Sequence, residues 1–247
     1  MTHDWTQDFF SGLWLDAQRQ TWSDEESDAN AEACAELLDL PDGAEILDVP
    51  CGDGRVALRL AANGYRVTGF DRSPELLDTA RESASTLKIP SRWDQGDMRA
   101  LPYSAEFDGA ICIWGSLGYG TEAEDGAFLA GVARSLRPGG GFILDTHVAE
   151  TLLPNFHDSG FYRAGDVTIS EHRSFDPLTS RIDCEWVFTR KGKVEERTSS
   201  IRIYSTRELT NLLQVNNFSD FDYFGSMQLE DFETGSPRLV LRARRVS

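Results

Sequence analysis

The stretch EILDVPCGDGRVALRLA, Glu45 to Ala61, decides how the rest of the chain is read. It passes from a short apolar run, through a turn carrying Gly52 and Gly54, into a segment whose apolar residues recur at helical spacing. A strand, a glycine turn and a helix in that order bring bare backbone to a helix N-terminus, where nucleotide-like ligands are held. Gly52-Asp53-Gly54-Arg55-Val56-Ala57 fits G-x-G-x-x-[GA], a pattern that dinucleotide, flavin and other nucleotide binders share. Pro50 stands where such loops commonly carry glycine. Proline holds φ at roughly −65° and has no N–H, so it suits this position if the ligand takes no hydrogen bond from it.

On either side the pattern alternates. YRVTGFD (65–71) is a second strand, and SPELLDTARESAS (73–85) a helix with Ser73 as N-cap and Pro74 at its first position. SRWDQGD (91–97) is a weaker third strand, and FDGAICIWG (107–115) a fourth, apolar enough to be central. The helix DGAFLAGVARSL (125–136) is closed by RPGG before a fifth strand, GFILDTH (141–147). Strand and helix alternating at this interval predict an α/β fold, a doubly wound, mostly parallel sheet with right-handed crossovers. After His147 the texture changes. DVTISEHRSFD (166–176), SRIDCEWVFTR (180–190) and EERTSSIRIYS (195–205) predict an inserted antiparallel β meander. Helical TRELTNLLQVNNF (206–218) follows, then an antiparallel C-terminal hairpin from DFDYFGSM (220–227) and SPRLVLRARR (236–245).

Ahead of the core, Ser23 and Glu26 have capping-box spacing, predicting a helix to Leu40 with Ala31, Cys34, Leu37 and Leu38 on its buried stripe. One domain over 1–247 is expected: a helical cap (1–43), a cofactor-binding core (44–147), an antiparallel substrate cover (148–205), and a final helix and hairpin (206–247).

Composition narrows the class. Of 247 residues 40% are hydrophobic, ordinary for a globular protein, and the net charge is −17. An acidic surface repels a phosphate backbone, so no nucleic-acid partner is expected. No apolar run reaches the ~20 residues of a membrane span, and MTHDWTQDFFSGLW lacks the pattern of a signal peptide, so no membrane partner and a cytoplasmic location are expected. Cys34, Cys51, Cys112 and Cys184 are scattered without Cys-x-x-Cys spacing, and no metal site is expected.

Asp71 closes the second strand about 20 positions after Gly52, the interval at which an acidic residue accepts hydrogen bonds from ribose hydroxyls. Asp48 ends the first strand, where a carboxylate helps a cationic ligand and does nothing for a pyrophosphate. Asp97 follows the third strand, in position to accept from an adenine amino group, with Met98 against the ring.

With these residues in place, the chain resembles the class I S-adenosylmethionine-dependent methyltransferases. The likeness rests on ILDVPCGDGR, VTGFDRSPELL, QGDMRALP, FDGAICIWGSLGY and LRPGGGFILD, in the family's order over roughly 44–147, and the pattern is nearest to glycine N-methyltransferases and amino-sugar N,N-dimethyltransferases. The family's D-x-G-x-G-x-G is broken only by Pro50. The resemblance implies a seven-stranded Rossmann-like sheet, S-adenosyl-L-methionine as cofactor with S-adenosyl-L-homocysteine as product, and N- or O-methylation of a small-molecule acceptor. It implies cofactor contacts from Asp48, Pro50, Cys51, Gly52, Gly54, Asp71, Arg72, Asp97, Met98, Ile113 and Trp114.

His147 and Tyr119, at the carboxyl ends of the fifth and fourth strands, are the candidate catalytic residues. Trp14, Tyr119, Arg173 and Tyr204 are the candidate substrate contacts, and the meander also suits a homodimer contact. An NAD-dependent oxidoreductase and a non-catalytic module binding the cofactor or its demethylated product remain the rival readings.

Overall fold

The computed structural model describes residues 4–246. Its N-terminal part holds α1 (Gly12–Thr21) and α2 (Asp24–Leu38). The core then runs β1 (Glu45–Asp48), α3 (Arg55–Ala62), β2 (Arg66–Asp71), α4 (Pro74–Leu87), β3 (Arg92–Gln95), β4 (Phe107–Cys112), α5 (Glu122–Ser135) and β5 (Leu136–Thr146). After the short α6 (Ala149–Leu152) come β6 (Ser159–Ala164), β7 (Val167–Asp176), β8 (Arg181–Arg190) and β9 (Lys193–Arg202). The chain closes with α7 (Thr206–Val215), β10 (Phe218–Phe224) and β11 (Leu239–Arg245).

The large sheet has the order β10-β11-β5-β4-β1-β2-β3, with β4 at its centre. Strands β1 to β5 are parallel, and β11 is antiparallel to both β5 and β10. Alternation along the strands explains why both faces are covered. Leu47, Ala110, Cys112, Phe142 and Leu144 face a layer with Phe128 and Leu129 of α5 and Leu209 and Leu213 of α7. Their neighbours Ile46, Ile111, Ile143 and Val240 face the opposite layer, with Ala31, Cys34 and Leu38 of α2 and Val56 and Leu60 of α3.

The caps follow the local chemistry. Ser23 and Glu26 form the reciprocal capping box, and Ser73 accepts from Leu76 N–H ahead of Pro74. Helix α2 stops at Leu38, short of Leu40, because Asp39 turns into the left-handed region at φ 48°.

Two elements depart from the sequence reading. Strand β5 begins at Leu136, because the RPGG segment is drawn alongside β4 at the Phe107–Leu136 pairing. The second sheet has four strands, not three, in the order β6-β7-β8-β9. Its first strand, β6, is mostly exposed, so no apolar alternation marks it in the sequence. Helix α1 lies on this second sheet, where Leu13 and Ala17 pack with Val167, Ile169 and Phe188.

Candidate functional site

In an open α/β sheet the ligand crevice lies beyond the strand carboxyl ends, where the strand order reverses. Here the order reverses between β1 and β4, and a cavity of about 1100 Å³ opens there. It extends from Asp97 and Asp71 past the glycine turn to Trp114, His147 and Arg238. Phe10, Trp14 and Trp22 come to it from the N-terminal segment, and Tyr162 and Trp186 from the second sheet.

The turn after β1 is held by its own backbone and by Asp71. Cys51 N–H donates to Phe70 O at 3.1 Å, and Gly54 N–H to Cys51 O at 3.0 Å. Asp71 accepts from Gly52 N–H through one carboxylate oxygen and from Ser73 N–H through the other, both at 2.9 Å. With the Arg72 N–H also contributing, the carboxylate keeps acceptor capacity toward the cavity for a ligand hydroxyl. Burial raises the Asp71 carboxyl and the backbone N–H groups oppose that rise. The two glycines serve different needs. At Gly54 (φ 77°) a Cβ would run into the Trp93 ring, whereas at Gly52 (φ 56°) nothing lies within 4 Å of a Cβ, so bare backbone faces open space. Pro50 lines the cavity, and the loop's internal hydrogen bonds come from Cys51, Gly52 and Gly54.

Asp48 is 2% exposed, and its Oδ1 has no hydrogen-bond partner among the described residues. Burial pushes its carboxyl up to about 8, against the opposing pull of Arg55. A buried carboxyl with an orphaned oxygen at a cavity wall is stabilised by a ligand cation. The residues at this end therefore fit S-adenosylmethionine: a diol acceptor at Asp71, open backbone at Gly52 and a carboxyl at Asp48.

Asp97 lies at the same end but is already engaged. It accepts from Arg99 N–H at 2.9 Å and pairs with the Arg99 guanidinium at 2.5 Å, which holds its carboxyl below the usual range. Arg72 donates to Thr6 Oγ1 at 2.5 Å, tying the N-terminal segment to the cofactor end, and Met98 and Ile113 line the wall.

Across β4 the wall changes character. Trp114 sits at φ 69°, a left-handed conformation rare for a bulky residue. Asp145 holds it there, accepting from Trp114 N–H at 2.9 Å through its side chain and from Gly115 N–H at 3.0 Å through its carbonyl. Asp145 also pairs with Arg238 Nε, and Arg238 Nη1 lies 3.1 Å from His147 Nε2. A guanidinium only donates, so His147 Nε2 accepts and the proton of the neutral ring belongs on Nδ1. Burial, then the Arg238 charge, pushes His147 down to about 4. Burial likewise pushes the Tyr119 phenol up to about 12. Three donors here have no partner among the described residues: Trp114 Nε1, His147 Nδ1 and Arg238 Nη2.

Ten of the eleven expected cofactor residues line this cavity, as do Trp14, Tyr119 and His147; Gly54 does not, and packs instead against the Trp93 ring. His147 is nevertheless not placed as a base, because its one basic lone pair is taken by Arg238. Arg173 and Tyr204 are corrections to the expected substrate contacts. Arg173 is paired with Glu171 at 2.5 Å, and Tyr204 is buried with its hydroxyl on Asp125 at 2.7 Å; neither lines the cavity. The Tyr204–Asp125 pair instead braces the loop after β4, since Asp125 also accepts from Gly118 N–H at 3.1 Å. Arg238 and Asp145 were not singled out from sequence. Arg238 meets its partners across 93 and 91 positions, and no local spacing signals such a contact.

Comparison with known proteins agrees with this geometry. Residues 46–140 match the family model described as a methyltransferase domain. The YqeM protein of Bacillus subtilis (strain 168), which carries only a provisional methyltransferase name, is 35% identical over 124 residues. That match takes in 49% of this chain and 50% of that protein, so the chain spans about half the length of this curated relative. The crystal structure of an S-adenosylmethionine-dependent methyltransferase from Clostridium acetobutylicum ATCC 824 superposes with a TM-score of 0.80 at 19% identity, covering 98% of this chain and 100% of that one. CalS10, described as an amino pentose methyltransferase from Micromonospora echinaspora with bound S-adenosylmethionine, gives a TM-score of 0.68 at 22% identity, covering 96% and 98% of the two chains. With its strand order and its glycine turn, the chain has the fold of these S-adenosylmethionine-dependent methyltransferases, and its residues 46–140 are similar to the methyltransferase domain.

Proposed function

We propose that the protein methylates a nitrogen atom of a small-molecule acceptor by in-line displacement, releasing S-adenosylhomocysteine. When bound, S-adenosylmethionine supplies a methyl group already activated by its sulfonium. The chain's own task is then to align an acceptor lone pair and exclude water. Residues from the N-terminal segment and the second sheet roof the cavity, which favours a metabolite over a macromolecule. Among the described residues no helix is long and apolar enough to cross a membrane.

One observation carries the choice of nitrogen. Neither rim candidate offers a basic lone pair at neutral pH: His147 Nε2 is engaged by Arg238 with the ring held near 4, and the Tyr119 phenol is held near 12. A hydroxyl acceptor needs its proton removed as the bond forms, whereas an amine that arrives neutral brings its own lone pair. The likeness to an amino pentose methyltransferase supports the same reading.

The test is incubation of the full chain with methyl-labelled S-adenosylmethionine and a mixed library of small amines and alcohols, with products read by mass spectrometry. Labelled amines are expected, and His147→Gln is expected to leave kcat within about threefold without removing a limb of its pH profile. Labelled alcohols alone, or turnover that collapses in His147→Gln with loss of a pH limb, restores oxygen chemistry with His147 as base. Label appearing only when RNA or protein is supplied overturns the small-molecule assignment.

A further inference from the structure

Trp93 does not line the cavity, yet its ring packs against the turn that forms part of the cavity wall. It stands on the edge strand β3, paired in register with Gly69 of β2. The ring crosses the bare backbone of Gly69, where a Cβ would run into Cε3 and Cζ3 and come 2.9 Å from Cys51 Sγ. Its far edge reaches Gly54, where a Cβ would run into Cη2, lie 2.8 Å from Cζ3 and meet the Ala80 Cβ of α4 at 3.0 Å. One side chain on β3 thus spans β2 and meets the turn that follows β1. Gly69 lies outside the left-handed region, so space for the ring and the thiol is what requires glycine there.

The hydrogen bonds of the turn run in another direction. Cys51 N–H donates to Phe70 O and Gly52 N–H to the Asp71 carboxylate, both on β2, and Gly54 N–H donates back to Cys51 O. These bonds fix the turn to β2 and to itself, and its contact toward β3 is the indole. Among the described residues Trp93 Nε1 has no hydrogen-bond partner, so the ring contributes shape and reach. Cys51, Gly52 and Asp53 line the cavity, and Gly52 offers it open backbone. A ligand held by bare backbone is sensitive to where that backbone stands, and packed neighbours must keep such groups within about 0.5 Å.

We infer that Trp93 is a positioning residue for the cofactor. Its ring sets where the glycine turn presents its backbone, and so sets the affinity for S-adenosylmethionine, without touching the ligand. The inference goes beyond the proposed function, because it holds whichever acceptor atom is methylated.

The probe is S-adenosylhomocysteine, titrated by calorimetry into the full chain and its variants, with a urea titration of each in parallel. Trp93→Leu ends short of Gly54, and its Kd is expected to rise about tenfold at unchanged stoichiometry. Trp93→Phe keeps a ring beside Gly69 but is shorter than the indole, and a rise of about threefold is expected. Gly69→Ala displaces the ring and Cys51. It is expected to raise Kd about tenfold in the unaltered chain but only about threefold in Trp93→Leu, where the ring is gone. That non-additivity separates positioning from packing. Residues that only pack couple in folding stability and leave the Kd of the folded molecules unchanged.

A Kd within about twofold of the unaltered chain in Trp93→Leu, with the urea midpoint lowered, overturns the inference and leaves Trp93 a packing residue. So does additivity of Trp93→Leu and Gly69→Ala in Kd, or failure of S-adenosylhomocysteine to bind the unaltered chain. If Trp93→Leu does not fold, Trp93→Phe and Gly69→Ala decide. A raised Kd in both supports the inference, and a Kd within about twofold in either overturns it.

Discussion

The two ends of the cavity are built in opposite ways. At the cofactor end, both oxygens of Asp71 already hold backbone N–H groups, at 2.9 Å each, and Asp97 is closed onto Arg99. At the other end, where the proposed acceptor would enter, Trp114, His147 and Arg238 each keep a donor without a partner among the described residues. Preorganised polar groups spare a ligand the cost of ordering them, which suits a cofactor that every turnover must bind. Unsatisfied donors do the reverse and make the end selective, since a ligand lacking matching acceptors leaves them buried and unpaired. Under the proposed function, the difference separates affinity from specificity in this fold. The first is placed on the sheet's parallel half, and the second where the antiparallel strand β11 meets it.

The most disruptive way to break the preorganised end is Gly54→Ala. Its Cβ would meet the Trp93 ring from a left-handed backbone, and a loss of about 2–4 kcal/mol in folding stability is expected by denaturant titration. A loss below about 1 kcal/mol would mean that the turn is not rigidly packed and that the contrast between the two ends is weaker than drawn.

Asp71→Ala comes next. It removes the acceptor for Gly52 N–H and Ser73 N–H together with the diol site. S-adenosylhomocysteine affinity is expected to fall by roughly a hundredfold in calorimetric titration, about two charge-assisted hydrogen bonds. An affinity within about threefold of the unaltered chain would remove Asp71 from the cofactor site.

The smallest and most informative effect belongs to Asp48, whose carboxyl lies near 8 in the free protein because of burial. A bound sulfonium favours the ionised form, so binding expels a proton and affinity rises with pH below about 8, then levels. The expected gain is at most about tenfold per pH unit, and Asp48→Asn is expected to flatten the part of the slope that Asp48 supplies. Stability runs the other way. The folded value lies above the unfolded one near 3.8, so folding takes up a proton between the two, and Asp48's contribution is full below the unfolded value and lost as pH rises through about 8. Asp48→Asn should therefore raise the thermal midpoint near pH 8 while weakening S-adenosylmethionine binding. A midpoint that does not rise would mean that Asp48 is ionised and compensated in the free protein.

Much of the cofactor end was legible in the sequence because it is built from short-range contacts. Asp71 reaches Ser73 across 2 positions and Gly52 across 19, and the turn closes on its own backbone. The parallel core was legible for a related reason. Its strands, the polar edge strand β3 apart, are apolar on both faces and alternate with amphipathic helices, so period and punctuation were enough. Strand β6 was not, because its exposed side chains write no pattern. Nor were the roles of Arg173 and Tyr204, whose positions in the meander and after it gave no hint that Glu171 and Asp125 would take them out of the cavity.

The acceptor end belongs to tertiary structure alone. Asp145 holds Trp114 across 31 positions, and Arg238 reaches His147 across 91 and Asp145 across 93, once β11 has slotted in beside β5. A sequence determines what its local chemistry can settle: which segments are strands, where helices are capped, and where bare backbone is left open beside a cavity. It does not display which lone pair of a histidine is already occupied, because a strand from the far end of the chain supplies the partner. That single contact turned the expected base into a hydrogen-bond donor.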